Sequence, residues 1–241
     1  MHKKIGILGG LSPESTVSYY LYITRTYTER FGDYGYPDIV IYSVSLEKYH
    51  QWRAQGRWDQ VAKDLIKGAR TLERAKADFV IIATNTMHRV FDQVQAAVKI
   101  PLIHIIDPTV KVIKAGNYSK VGLLGTKFTM TETFYRDRLA ANGIAALVPD
   151  DDDQNTVHEI IVKELVRGQI REDSRQKYLE IINRLTKRGA EGIILGCTEI
   201  ALLINQSHCA LPLFDTTEIH AEAALQFAIA QPKSQTGDVR P

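Results

Sequence analysis

The chain is poor in cysteine: Cys197 and Cys209 are the only two thiols in 241 residues. Two cysteines build no disulfide framework, and no Cys/His spacing of the zinc type accompanies them, so no metal site is expected. A cysteine that matters here matters as a thiol. Charge of one sign is not in excess either. Thirty Lys and Arg stand against 28 Asp and Glu, a formal net charge of +2, with the signs interspersed and no basic run that would track a phosphate backbone. Nucleic acid is therefore not an expected partner. Long apolar runs are missing: Met1, His2, Lys3 and Lys4 lead straight into IGILGG, which is no signal peptide, and nothing approaches membrane-spanning length. The expectation is a cytoplasmic protein with no membrane contact. No proline-rich linker divides the chain, and only the tail over 231–241, with PKSQTGDVRP from Pro232, has the composition of a disordered segment.

What is present is a strand–helix alternation. KIGILGG, DIVIYSV, DFVIIAT and PLIHII read as buried strands, with Val61, Leu65, Ala69 and Leu72 at helical spacing between two of them. KVGLLGT, EGIILGC and LPLFD repeat the strand signal later in the chain. Between these lie a helix opened by Thr129 with Glu132 three residues on and closed by Asn142-Gly143, then two helical stretches ending at Gly168 and Gly189. Such alternation predicts an α/β protein with parallel sheets covered on both faces.

The two halves also match each other. KKIGILGG pairs with SKVGLLGT, ADFVIIATNT with AEGIILGCTE, and IPLIHIIDPTV with LPLFDTTEIH, in one order and at nearly equal separations. Two copies of one α/β unit predict two lobes, and ligands bind at the carboxyl ends of parallel strands. Thr84 of IIATNTMHR and Cys197 of IILGCTEIA would then stand on opposite walls of one cleft. A group on each face of a small substrate suits inversion at a carbon acid, where one base removes the α-proton and a conjugate acid returns one from the other side.

GILGGLSPEST, TNTMH and GCTEI, in this order and spacing across almost the whole chain, resemble the cofactor-independent aspartate/glutamate racemase superfamily. Within it, SPEST, TNTMH and GCTEIALL are most similar to the L-aspartate/glutamate racemases of enteric bacteria. The resemblance implies two pseudo-symmetric Rossmann-like lobes, each a mostly parallel sheet flanked by helices, with the active site between them. Its boundaries would be 1–115 and 116–215, with a C-terminal helix at about 216–230 packing back on the first lobe. It implies a two-base mechanism without a cofactor, a small amino-acid substrate, a homodimer, and a cysteine in each lobe.

Here the first of those cysteines is Thr84. An unperturbed hydroxyl titrates near water, about 15.7, against about 8.5 for a thiol, so holding it as an anion costs on the order of 10 kcal/mol more. Thr84 can donate a proton but is no strong base, and Cys197 is expected to do the abstraction. Because the second-lobe cysteine of the family faces the α-proton of the L-isomer, L-substrates are expected to be processed preferentially. The resemblance also assigns Asn85, Thr86, Thr198 and Glu199 to the substrate's α-carboxylate and amino group; Ser12, in the turn before a helix N-terminus, is expected to face a carboxylate, and Thr126 is counted with the substrate-binding residues. Strict aspartate racemases carry an arginine after the second strand and a Tyr/Lys pair before the glycine matching Gly168, and this chain lacks both. Arg53, Lys48 and Arg167 are the available cations for a side-chain carboxylate, with Arg53 preferred because a guanidinium binds a carboxylate bidentately.

Other residues have plainer readings. Asp107 and Asp215 read as helix N-caps, Cys209 as structural or surface, and His88 and His220 as helix-start residues without metal-spacing partners. GILGGLSPES fits neither G-x-G-x-x-G nor the Walker pattern. Alternatives to a racemase remain: a single-cysteine decarboxylase of malonate-type acids, a maleate isomerase, or a non-catalytic two-lobed amino-acid-binding protein.

Overall fold

In the computed structural model, residues 2–230 are described; the tail over 231–241 lies outside them. The first half runs β1 (Ile5–Gly9), α1 (Pro13–Phe31), β2 (Ile39–Ser43), α2 (Leu46–Ala54), α3 (Trp58–Arg74), β3 (Phe79–Ile82), a 3-10 turn (Thr86–Val90), α4 (Phe91–Gln95), β4 (Leu102–Ile103) and α5 (Ile106–Ala115). The second runs β5 (Lys120–Gly125), α6 (Lys127–Thr131), α7 (Thr133–Ala140), β6 (Ala145–Leu147), α8 (Asp151–Lys163), α9 (Glu172–Lys187), β7 (Ile193–Gly196), α10 (Ile200–Leu203), β8 (Leu213–Asp215) and α11 (Thr216–Ile229). The sheets have the same order, β2-β1-β3-β4 and β6-β5-β7-β8, and every pairing is parallel. The duplication read from sequence is thus a duplication of topology.

Each inner strand is apolar on both faces because each sheet is covered twice. Side chains alternate along a strand, and here they alternate between cores. Ile5, Ile7, Phe79 and Ile81 join one cluster with Tyr19 and Ile23 of α1. Leu8, Val80 and Ile82 join the other with Val61, Leu65, Ala69 and Leu72 of α3. The second sheet repeats the device: Val121, Leu123 and Ile194 face α7, while Leu124, Ile193 and Leu195 face α8 and α9. Gly68 lets α3 lie close on its sheet, since a Cβ there would meet Leu8 and Tyr42.

The lobes exchange their last helices. α5 follows the first sheet, yet Ile106, Val110 and Ile113 pack with Val121, Leu123 and Phe214 of the second. α11 follows the second sheet, and Ala221, Ala224, Leu225 and Ala228 pack on β1 and β3 of the first. Each lobe's core is therefore completed by the other half of the chain, which ties the two strand-end edges together across the cleft.

Two local expectations are corrected. Thr129 does not open a helix: it is fully buried inside α6, and a break at Glu132 separates α6 from α7. Its hydroxyl instead meets those of Thr126 and Thr86, at 3.2 and 3.5 Å, so tertiary hydrogen bonding replaces the predicted cap. Asp107 is not an N-cap either. It sits in the first turn of α5 and makes a bidentate pair with Arg138 of α7, at 2.6 and 2.7 Å. The N-cap position there is Ile105, which makes no side-chain cap, and His104 before it accepts the Ile106 N–H on its Nδ1 at 3.1 Å. Asp215, its counterpart in the duplication, caps α11 as expected, accepting from Thr217 and Glu218.

Candidate active site

The strand-end turns after β1, β3, β5 and β7 converge on one cavity of about 260 Å³. Its walls hold all nine residues singled out from sequence. Ser12 follows β1; Thr84, Asn85 and Thr86 follow β3; Thr126 follows β5; Cys197, Thr198 and Glu199 follow β7; Arg53 enters from α2. Thr84 and Cys197 come from opposite lobes and share this space. Of the two other cations, Lys48 is paired with Asp64 at 2.6 Å, Arg167 is exposed, and neither is among the lining residues.

Backbone geometry accounts for the turns. Gly10 has φ +80°, a region that favours glycine, and a Cβ there would strike Val44. Gly196 lies beside Gly125 in register, and a Cβ on it would come within 2.8 Å of the Leu124 carbonyl. Only glycine lets β7 turn out at that point and lift Cys197 toward the cleft.

On the C-terminal wall, the Cys197 thiol donates to Glu199 Oε2 at 3.0 Å, and the Thr198 hydroxyl donates to the same oxygen at 2.7 Å. Glu199 is only 5% exposed. Burial pushes the Cys197 thiol well above its ordinary value, the neighbouring carboxylate adds to this, and Arg53 acts in the opposite direction. The sulfur therefore rests as a thiol with a proton acceptor already in contact.

The N-terminal wall is built of neutral groups. Thr86 Oγ1 lies 3.4 Å from Thr126 Oγ1. The Asn85 amide nitrogen donates to Thr216 Oγ1 at 3.0 Å, and Thr216 passes its own proton to the Leu195 carbonyl. This fixes the amide orientation and leaves Asn85 Oδ1 buried without a partner, an acceptor suited to an ammonium N–H. Behind Thr84, His88 Nδ1–H donates to the Thr84 carbonyl at 2.8 Å while Nε2 accepts the Ile105 N–H at 3.1 Å. Burial, with His104 and His220 close by, lowers the basicity of His88 and holds it neutral. His88 and His220 are thus core hydrogen-bonding residues, and His220 bridges Tyr19 and the Ile103 carbonyl. Among the described residues, no three His, Cys, Asp or Glu side chains come together as a metal-binding group, and no helix is long and apolar enough to cross a membrane.

Also on the cavity wall, Arg53 donates to His50 Nδ1 at 2.9 Å and stacks near Phe128, 5.6 Å from the ring centroid. Burial followed by Arg53 lowers the basicity of His50, and burial followed by Lys127 does the same for His158. His50, His158, Phe128 and the apolar face of α8 (Ile161, Val162) were not anticipated. His50 could have been found from its i, i+3 spacing to Arg53 on one helix face. His158 carries no such signal, because only the packing of α8 brings it to the cleft.

The sequence profile of the Asp/Glu/Hydantoin racemase family matches residues 8–224. The chain belongs to this family. Among its relatives is the broad specificity amino-acid racemase RacX of Bacillus subtilis (strain 168), 26% identical over 229 residues, covering 94% of this chain and 98% of the relative. Two solved structures are similar over nearly their full lengths. An aspartate racemase homologue from Pyrococcus horikoshii OT3 is 39% identical, with a TM-score of 0.84, covering 94% of this chain and 99% of its own. An Asp/Glu racemase candidate from Yersinia pestis is 43% identical, with a TM-score of 0.89, covering 95% and 100%. The two-lobed α/β fold of these racemases is the fold described above, and racemases are isomerases.

Proposed function

We propose that this protein racemises acidic amino acids, preferring L-aspartate and L-glutamate, by proton transfer at Cα between Cys197 and the Thr84 side of the cavity. The observation that carries this reading is the pairing of a thiol already hydrogen-bonded to a buried carboxylate with a hydroxyl-bearing wall from the other lobe, around one cavity.

In the first step Glu199 takes the thiol proton and leaves Cys197 as a thiolate in a water-poor site. The thiolate removes the α-proton: the S–H bond forms, the Cα–H bond breaks, and its electron pair moves into the substrate carboxylate as an enediolate. Hydroxyls of Thr86 and Thr126, with Ser12, are the donors available to that developing charge, which is where preorganised donors have most effect. Asn85 Oδ1 receives the ammonium group, and Arg53 receives the side-chain carboxylate through a charge-assisted pair. Reprotonation from the Thr84 face gives the D-isomer. Since a threonine hydroxyl does not serve as a strong base, α-proton exchange from the D-isomer is slow and the enzyme is lopsided in exchange, while kcat/KM for inversion is equal in both directions because the enantiomers are equal in free energy. The family match and the RacX relationship support racemisation as the reaction class.

Proton NMR in D₂O with a panel of L- and D-amino acids tests this. Loss of the α-proton signal is expected for L-aspartate and L-glutamate first, and to be absent in Cys197→Ser. Equal exchange rates for the L- and D-isomers would sink the asymmetric mechanism. Release of CO₂ from a malonate, isomerisation of maleate, or ligand binding indifferent to Cys197→Ser would replace the racemase reading altogether.

A further inference from the structure

The proposed cycle leaves one proton to be moved: the one that Glu199 takes from Cys197 must go somewhere before the next turnover. Hydrogen bonds around Glu199 define a route. Thr198 Oγ1 lies 2.5 Å from Ser15 Oγ, and Ser15 Oγ lies 3.2 Å from Ser12 Oγ. Thr198 belongs to the second lobe and Ser15 to the first turn of α1 in the first, so this chain of hydroxyls crosses the junction between lobes. Ser15 is 2% exposed and does not line the cavity, whereas Ser12 and Thr198 at either side of it do.

Donor directions follow by elimination. The Thr198 proton is committed to Glu199 Oε2, so Thr198 accepts from Ser15, and Ser15 accepts from Ser12. Ser12 Oγ in turn accepts the Ser15 N–H at 3.3 Å. All three hydroxyls point toward the carboxylate in the resting state. Once Glu199 carries the thiol proton it becomes a donor, and the same hydroxyls can turn, since an O–H reorients by rotation about its C–O bond to suit its partners.

We propose that Thr198, Ser15 and Ser12 form a proton relay that carries the proton displaced from Cys197 onto Glu199 across the lobe junction to the N-terminal wall of the cavity. The inference rests on the reading of Cys197 as the base. The protons balance without solvent. Sulfur gives its proton to Glu199 and regains one from Cα. Glu199 passes its proton to Thr198, Thr198 to Ser15, Ser15 to Ser12, and Ser12 delivers one into the cavity on the wall where Thr84 stands. Cα loses a proton on one face and gains one on the other, and the thiol, the carboxylate and three hydroxyls are restored. The relay spares Thr84 from existing as an alkoxide, which the pKa of a hydroxyl forbids near neutral pH. Ser15 and Thr198 act through their neighbours and so as positioning residues, while Ser12 faces the substrate.

The test compares two rates in D₂O: α-deuteration of L-aspartate with retention, which needs only the C-terminal wall, and formation of the D-isomer, which needs proton delivery to the opposite face. Ser15→Ala is expected to lower the ratio of inversion to exchange about tenfold or more, the range of a lost proton-transfer partner. Thr198→Val is expected to do the same, and Thr198→Ser to restore it. The wild-type proton inventory for inversion is expected to be curved, as several protons move together, and that of Ser15→Ala to be linear. A ratio within about twofold of wild type in both hydroxyl-free variants, with only KM raised, would show that the contact merely latches the lobes and would overturn the relay. A linear inventory in the wild type would overturn it without any variant. Absence of exchange with every amino acid in the wild type would instead remove the Cys197 reading on which it stands.

Discussion

Thr84-Asn85-Thr86 and Cys197-Thr198-Glu199 close equivalent strands in two sheets of identical order, yet they are equipped differently. The first turn is backed by a neutral imidazole that holds the Thr84 carbonyl, and its polar side chains are two threonine hydroxyls and an amide. The second has a thiol whose proton already points at a carboxylate. All three positions of the turn differ, and with Thr86 the counterpart of Glu199, two of the differences lie in the proton chemistry: the base and the group that accepts the base's proton. A duplicated site can thus keep its geometry while concentrating its proton chemistry on one side.

The most damaging way to break this contrast is to remove the thiol. Cys197→Ser is expected to lower α-deuteration of L-aspartate about a thousandfold or more, within the range for losing a positioned base, as measured by NMR in D₂O. Next comes Glu199→Gln, which keeps the shape but not the proton acceptor. Exchange should fall about a hundredfold because the thiol loses its proton acceptor, and, since the carboxylate helps to push the thiol up, the pH-rate profile should move to lower pH; an unshifted profile would contradict the role given to Glu199. Arg53→Ala sharpens the substrate end. KM for L-aspartate should rise about 10- to 100-fold, the loss of a charge-assisted hydrogen bond, while an amino acid without a side-chain carboxylate should bind as well as before. Thr84→Cys tests the comparison from the other side, since it gives the first wall a thiol but leaves Thr86 in place of a carboxylate. Exchange of D-aspartate should rise by about tenfold and still fall short of the L-rate.

The smallest effect concerns stability. Burial lowers His220 from its ordinary value to about 4, and His88 and His104 are lowered too. A histidine held neutral in the fold stabilises it above its unfolded pKa of about 6.5, and this is lost as pH falls through the folded value. His220 alone accounts for about 3 kcal/mol across that window. Asp215 works against it, because burial raises its carboxyl to about 6, so its contribution is greatest in acid and disappears as pH rises through 6. With three histidines against one carboxylate, the midpoint of thermal unfolding should decline from pH 6.5 to pH 4. Replacement of His220 by Asn should flatten that decline.

Much of this was legible in order and spacing. The apolar strands, the internal repeat and the unequal pair at positions 84 and 197 can be read because a buried parallel strand must be apolar on both faces and a strand-end turn must carry what the site uses. The short β6 strand Ala145–Leu147 and the α2 helix Leu46–Ala54 left weaker traces: one is only three residues long, and the other buries a single residue, Tyr49. Thr129 misled because a Thr followed three residues later by Glu is a capping pattern whose outcome depends on what packs against it.

By itself the sequence determined the two α/β units, the family to which they belong and the residues at each strand end, since periodicity and local turn chemistry are properties of neighbours along the chain. Only the tertiary structure decided that α5 changes lobes, that Asp107 pairs with Arg138 instead of capping a helix, and that Ser15 reaches Thr198 across the junction. Those are contacts between residues up to some two hundred positions apart, and no local pattern encodes which side chains a folded core will press together.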